Sequence, residues 1–228
     1  MKLSISTTMR ESLLGWSYLP FFILILPSLF NSLNGLLPTP MSDAAINLIF
    51  FTVNFVIVVG IFHRFLRESL QVFFTKPWKC LGIAALGVLM YYAQLLLISF
   101  VITQLVPDFS NINDSHILQM VQNHRVLMCF ATVILVPITE ELLYRGLVFQ
   151  SLCQKSRPVA FCISVCIFAW IHVMGYVSLY DWKILLLCFL QYLPAGLTLA
   201  LAYEQADTVV TPMLIHITIN LIGLFAMR

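Results

Sequence analysis

Two adjacent carboxylates, Glu140 and Glu141, and a guanidinium, Arg145, stand in the run from Pro137 to Gly146, inside a segment from about Val126 to Leu152 that is otherwise apolar enough to cross a bilayer. Charges at that depth cost at least ~2.5 kcal/mol each on the most lenient insertion scale, so a cluster of them marks a functional site or a structural ion pair. On a helix, positions four apart share a face, which sets Glu141 beside Arg145 and Glu140 beside Tyr144. Arg145 can then neutralise Glu141. Glu140 is left without a basic neighbour on its own face and is the candidate for chemistry.

Of the five histidines, His63, His116 and His124 flank apolar runs, whereas His172 and His216 fall inside the fifth and seventh of them. His216 shares a face with Asn220, and His172 with Phe168, each pair at i, i+4. Counted along helices from one side of the membrane, Glu140 lies at ~15 Å, His172 at ~21 Å, His216 at ~12 Å and Asn220 at ~18 Å. A single intramembrane His or Asn is more often a hydrogen-bonding residue between helices. Four such groups at one depth, near the middle of a ~30 Å hydrocarbon core, argue for a site.

A carboxylate in a dry pocket beside an imidazole can hold and deprotonate a water. An Asn amide and a second His on another helix can donate to an oxyanion. That set suits water attack on an amide carbonyl without a covalent intermediate. Serine chemistry lacks a G-x-S-x-G or an in-span Lys partner, H-E-x-x-H is absent, and there is no phosphate-binding glycine loop. No cofactor is expected; the alternative is a divalent metal such as Zn, held by Glu140, His172 and His216 as a two-His, one-carboxylate site.

These residues need helices that cross a membrane. With 61% hydrophobic and 10% charged residues the chain is too apolar for a soluble domain, and its net charge of +2 forms no basic stripe of the kind that binds nucleic acid. Apolar runs at about Leu19–Leu37, Ala44–Phe62, Cys80–Val106, Val126–Leu152, Pro158–Val173, Ile184–Tyr203 and Thr208–Met227 predict an all-α, polytopic bundle of about seven transmembrane helices. An eighth short or re-entrant helix fits the basic, partly amphipathic stretch Phe65–Lys79. The first run is expected to be retained, since no A-x-A cleavage site follows it. The polar stretch Pro107–His124 reads as a loop. The six cysteines sit in or beside apolar runs with no CxxC and read as small buried packers.

No repeat or linker divides residues 1–228, so one integral-membrane domain is expected, with N-terminal helices over 1–125 and the chemical residues over 126–228. A cytoplasmic N-terminus places Lys2, Arg10, Arg64, Arg67, Lys76, Lys79, Lys155 and Arg157 inside, against Arg125, Lys183 and Arg228 outside. The C-terminus then lies outside.

Glu140-Glu-Leu-Leu-Tyr-Arg145, Phe168-Ala-Trp-Ile-His172 and His216-Ile-Thr-Ile-Asn220 resemble the E-E-x-x-x-R, F-x-x-x-H and H-x-x-x-N signatures of the CPBP family, which contains the type II CAAX prenyl endopeptidases and bacterial bacteriocin-processing or self-immunity proteins. The resemblance covers about Val126–Met227. It implies an intramembrane glutamic-type endopeptidase in which Glu140 activates water with His172, His216 and Asn220 line the oxyanion side, and Glu141, Arg145, Tyr144 and Phe168 support them. A compact chain bare of eukaryotic-style extensions is expected in a bacterial plasma membrane, with a peptide precursor or membrane-protein segment as the expected substrate. The alternative is a non-proteolytic membrane scaffold, or an immunity or regulatory protein that binds a membrane partner.

Overall fold

Thr8 starts the first helix. Its hydroxyl accepts the Glu11 N–H, and the Glu11 carboxylate accepts the Thr8 N–H at 2.7 Å, a reciprocal cap that satisfies two amides the helix cannot. The computed structural model describes residues 3–226. Among them the chain forms nine helices and no strand: α1 (Met9–Gly35), α2 (Asp43–Ile61), α3 (His63–Thr75), α4 (Pro77–Leu105), α5 (Ile112–Asn123), α6 (Arg125–Cys153), α7 (Arg157–Ile171), α8 (Trp182–Ala206) and α9 (Val210–Ala226). Five of these (α1, α2, α4, α6, α8) are long and apolar enough to cross a membrane, and α7 and α9 are shorter apolar helices. They account for the seven expected spans. Lys2, Met227 and Arg228, which entered the orientation count or the last span, lie outside the described residues.

Two expectations are refined. The basic stretch Phe65–Lys79 is largely the amphipathic helix α3, which buries Phe65 and Ser69 and turns Arg64 and Arg67 outward. The polar stretch Pro107–His124 is mostly helical as well, because Asn111 caps α5 by accepting from the backbone N–H groups of Asn113 and Asp114. One expectation fails. Cys80 and Cys188 are buried, but Cys162 and Cys166 lie exposed on α7. A thiol is apolar enough to face lipid as readily as a core.

Burial ranks the spans. In α6, 61% of the most apolar window is buried, against 39% in α8 and less in the other three, so α6 is the helix that the others surround. The core joins Leu142, Leu143, Leu147 and Phe149 of α6 to Phe65 of α3, Phe168 of α7 and Leu199 and Tyr203 of α8. Among the described residues glycine admits close approaches at Gly15, Gly87, Gly146 and Gly196, the last two on α6 and α8. At Gly146 an added Cβ would stand 2.8 Å from the edge of the Phe65 ring, and at Gly196 it would stand 3.2 Å from the backbone of Val165, where α7 meets α8.

Glu11 does more than cap its own helix. Only 4% exposed, it also accepts the backbone N–H of Phe65 at 2.9 Å, which ties the first turn of α3 to the first turn of α1. Glu11→Ala is therefore expected to cost about 2 kcal/mol, since it removes one cap and leaves a buried amide of a second helix without an acceptor. Unfolding of the detergent-solubilised protein by SDS titration measures it, and an unchanged midpoint would refute the double cap.

Candidate functional site

Pro137 shapes the helix that carries the acids. Upstream of it the chain winds more loosely over Ala131–Leu135, where the N–H of Val136 reaches back five residues to the Ala131 carbonyl. The next bond of that series would run from residue 137 to the Thr132 carbonyl, and proline has no N–H to give. The Thr132 carbonyl is instead taken by the Asn220 side-chain amide of α9 at 2.8 Å. A second loose stretch, Leu142–Phe149, begins directly after Glu141. Interruptions of this kind are frequent at functional sites.

Glu141 and Arg145 pair as the spacing predicts. The Arg145 guanidinium donates to Glu141 Oε1 at 3.0 Å and to the Gly196 carbonyl at 2.9 Å, and both side chains are fully buried. The same Oε1 faces His216 Nδ1 at 3.0 Å. With a carboxylate at Nδ1, that nitrogen carries the proton, and Nε2 is turned toward Glu140, 4.0 Å from its Oε2. Glu140 is 8% exposed, and its Oε2 has no hydrogen-bond partner.

Phe168 is the hub between helices. The guanidinium of Arg145 lies 4.7 Å above its ring, and the rings of His172, His216 and Tyr144 approach it at 4.8, 5.6 and 6.0 Å between centroids. His172 lies one residue beyond the end of α7, at its C-cap, rather than within the span. Its Nδ1 is bonded to the Phe168 carbonyl at 2.7 Å, which leaves Nε2 as an acceptor.

Glu140, Phe168, His172, His216 and Asn220 all line one cavity of about 1290 Å³, larger than most small-ligand pockets. Glu141, Tyr144 and Arg145 lie behind it, fully buried. Phe168, expected to support, thus lines the cavity together with the residues expected to react, while the other supporting residues form a buried second layer. Tyr144 adds packing to this second layer; its hydroxyl has no hydrogen-bond partner. Among the described residues no three His, Cys, Asp or Glu side chains are grouped closely enough to hold a metal ion, so the residues present do not fit the two-His, one-carboxylate alternative.

Three site residues escaped the sequence reading. Tyr192 of α8 stacks on His172 with ring centroids 4.1 Å apart, accepts from Asn113 at 2.9 Å and donates to Asp114 at 2.6 Å. Burial raises the Asp114 carboxyl above its ordinary value, and the Tyr192 hydrogen bond opposes the shift. The available signal was the Gln191-Tyr192 pair inside an apolar span, opposite a loop rich in Asn and Asp.

A model of the Type II CAAX prenyl endopeptidase Rce1-like family matches residues 122–222, the region holding Glu140, His172, His216 and Asn220. That region is similar to the Rce1-like family. Among curated proteins, two from Lactococcus lactis subsp. lactis (strain IL1403) are similar. UPF0177 protein YbdJ is 33% identical over 89 residues, 39% of this chain and 34% of the relative. UPF0177 protein YxdF is 31% identical over 90 residues, 40% of this chain and 44% of the relative. The matched part thus spans less than half the length of either relative. No solved structure matches the chain. The matched region begins near the end of α5 and takes in α6, α7, α8 and most of α9, whereas α1 to α4 lie outside it.

Proposed function

We propose that the protein is an intramembrane endopeptidase that hydrolyses a peptide bond with a water activated by Glu140. One observation carries this reading: Glu140, on the central helix and with a buried carboxylate oxygen that has no hydrogen-bond partner, lines a cavity that also receives imidazoles and an amide from other helices.

The steps follow from the atoms. Glu140 takes a proton from a water that His172 Nε2 orients, and the hydroxide oxygen bonds to the substrate carbonyl carbon. The carbonyl oxygen, now negative, accepts from the Asn220 amide, whose placement is fixed by Thr132. His216 donates from Nε2 to the same oxygen when both its ring nitrogens carry protons, with Glu141 as its counter-charge. Glu140 then delivers its proton to the substrate nitrogen, the C–N bond breaks, and an acid and an amine leave. The geometry bears on the division of labour between the histidines, because it is His216 that lies within 4.0 Å of Glu140.

Described basic residues away from the site, Arg10, Arg64, Arg67, Lys76, Lys79, Lys155 and Arg157, sit at the α3 end of the bundle, while only Arg125 and Lys183 sit at the α5 end. We take the α3 end as cytoplasmic on that account, in a bacterial plasma membrane. The reading is tested with the full chain in nanodiscs and a peptide library resolved by mass spectrometry in H₂¹⁸O. Cleavage with one ¹⁸O in the new carboxylate, lost in His172→Ala, is expected. Cleavage of the same bonds by His172→Ala at the wild-type rate would overturn the assignment of His172.

A further inference from the structure

The acidic residues of this chain divide by location. Of the ten, five are ion-paired with Arg or Lys: Glu11 and Glu68 with Arg64, Glu141 with Arg145, Glu204 with Arg157 and Asp207 with Lys76. Among the described residues Asp43, Asp108, Asp114, Glu140 and Asp181 have no such partner. Glu140 is at mid-membrane in the cavity, and the other four lie toward the α5 end. Asp43, Asp114 and Glu140 line the cavity, and no Lys or Arg does. Its basic groups are histidines only, His116 and His124 toward the mouth and His172 and His216 within.

A hollow with low-dielectric walls and charges of one sign focuses their field on whatever enters. Among the Asp, Glu, Lys and Arg side chains that line the cavity, that sign is negative. Of the carboxylates that lack a cationic Lys or Arg partner from the chain, Glu140 lines the cavity with its Oε2 buried and without a hydrogen-bond partner, and Asp114 receives only the neutral Tyr192 hydroxyl in its side-chain hydrogen bonding. The remaining polar groups of this wall, Asn111, Asn113 and Gln191, are neutral and bonded among themselves or to Tyr192.

We propose that the cavity takes a peptide segment bearing a lysine or arginine close to the bond at Glu140, with Asp114 as the group that receives its charge. This rests on the peptide-hydrolysis reading and names its substrate class. A neutral side chain at that position leaves Asp114 without a counter-charge and an acidic one also meets a repulsive field, so selection acts by exclusion as well as by attraction. Tyr192 links this subsite to the chemistry, since it bonds Asp114 through its hydroxyl and covers the His172 ring with its face.

The test measures binding, so that it does not depend on turnover. Octapeptides of an Ala/Leu/Ser host carry Lys, acetyl-lysine or Glu at each position in turn, and their affinity for full-length Glu140→Gln protein in nanodiscs is read by fluorescence anisotropy at pH 7.5. At one or two positions Lys is expected to bind at least ~10-fold more tightly than acetyl-lysine, falling to within ~2-fold when Asp114→Asn is added. Asparagine keeps an oxygen for the Tyr192 hydroxyl, and Asp43→Asn serves as a second variant at the rim, expected to lower the preference by a smaller factor. Charge-blind binding, or a preference that survives Asp114→Asn, overturns the proposal. Lys preference with no cleavage by the wild-type protein supports this subsite and counts against the hydrolytic reading alone.

Discussion

Glu140→Gln is expected to lower the rate of peptide cleavage by ~10²–10⁴-fold while the protein remains folded. The amide keeps the size and the polarity of the side chain, but it cannot accept the proton of the attacking water. Substrate affinity should change little, because the contacts that would hold a peptide come from the whole cavity and not from this oxygen alone. The loss should therefore appear in kcat with KM nearly constant, as for a group that acts in the transition state. Steady-state cleavage in nanodiscs measures both constants. A wild-type rate in Glu140→Gln, or complementation of a deletion phenotype by it, would favour the scaffold reading instead.

Arg145→Met should unfold the protein more readily, by about 3–5 kcal/mol, because it strands a fully buried Glu141 without its guanidinium partner. The Gly196 carbonyl loses a donor in the same substitution, and the Phe168 ring loses the cation stacked above it. Adding Glu141→Gln removes the stranded charge, so the double variant should recover a substantial part of the stability. Unfolding midpoints in SDS titrations of the wild type, the single variant and the double variant give the comparison. Equal midpoints in all three would mean that the buried pair is not held together as described. The hydrogen bond from Glu141 to His216 links this stability test to the site, since the double variant replaces the carboxylate at Nδ1 with an amide.

The bundle was legible in the sequence because bilayer thickness turns hydropathy into helix length, and seven apolar runs became five long helices and two short ones. The Glu141–Arg145 pair and the shared faces of His172 with Phe168 and of His216 with Asn220 followed from helical spacing alone. Partnerships between helices did not follow. Spacing cannot show that His216 bonds the carboxylate reserved for Arg145, or that Tyr192 covers His172 from another span, since both depend on how α6, α7, α8 and α9 pack. The double role of Glu11 was not legible either, because its second partner, the amide of Phe65, lies 54 positions away. The hydrophobic reading of the cysteines held for Cys80 and Cys188 but missed that α7 presents Cys162 and Cys166 outward, a distinction between lipid and core that composition does not encode.

The missing amide hydrogen at Pro137 gives the fold an asymmetry worth following. An alanine at that position would offer the Thr132 carbonyl a donor from its own backbone, in direct competition with Asn220. A substitution that looks like a repair of α6 would thereby set free a side chain on α9, four residues from His216. An imperfection in one rod acts as the socket that orients its neighbour.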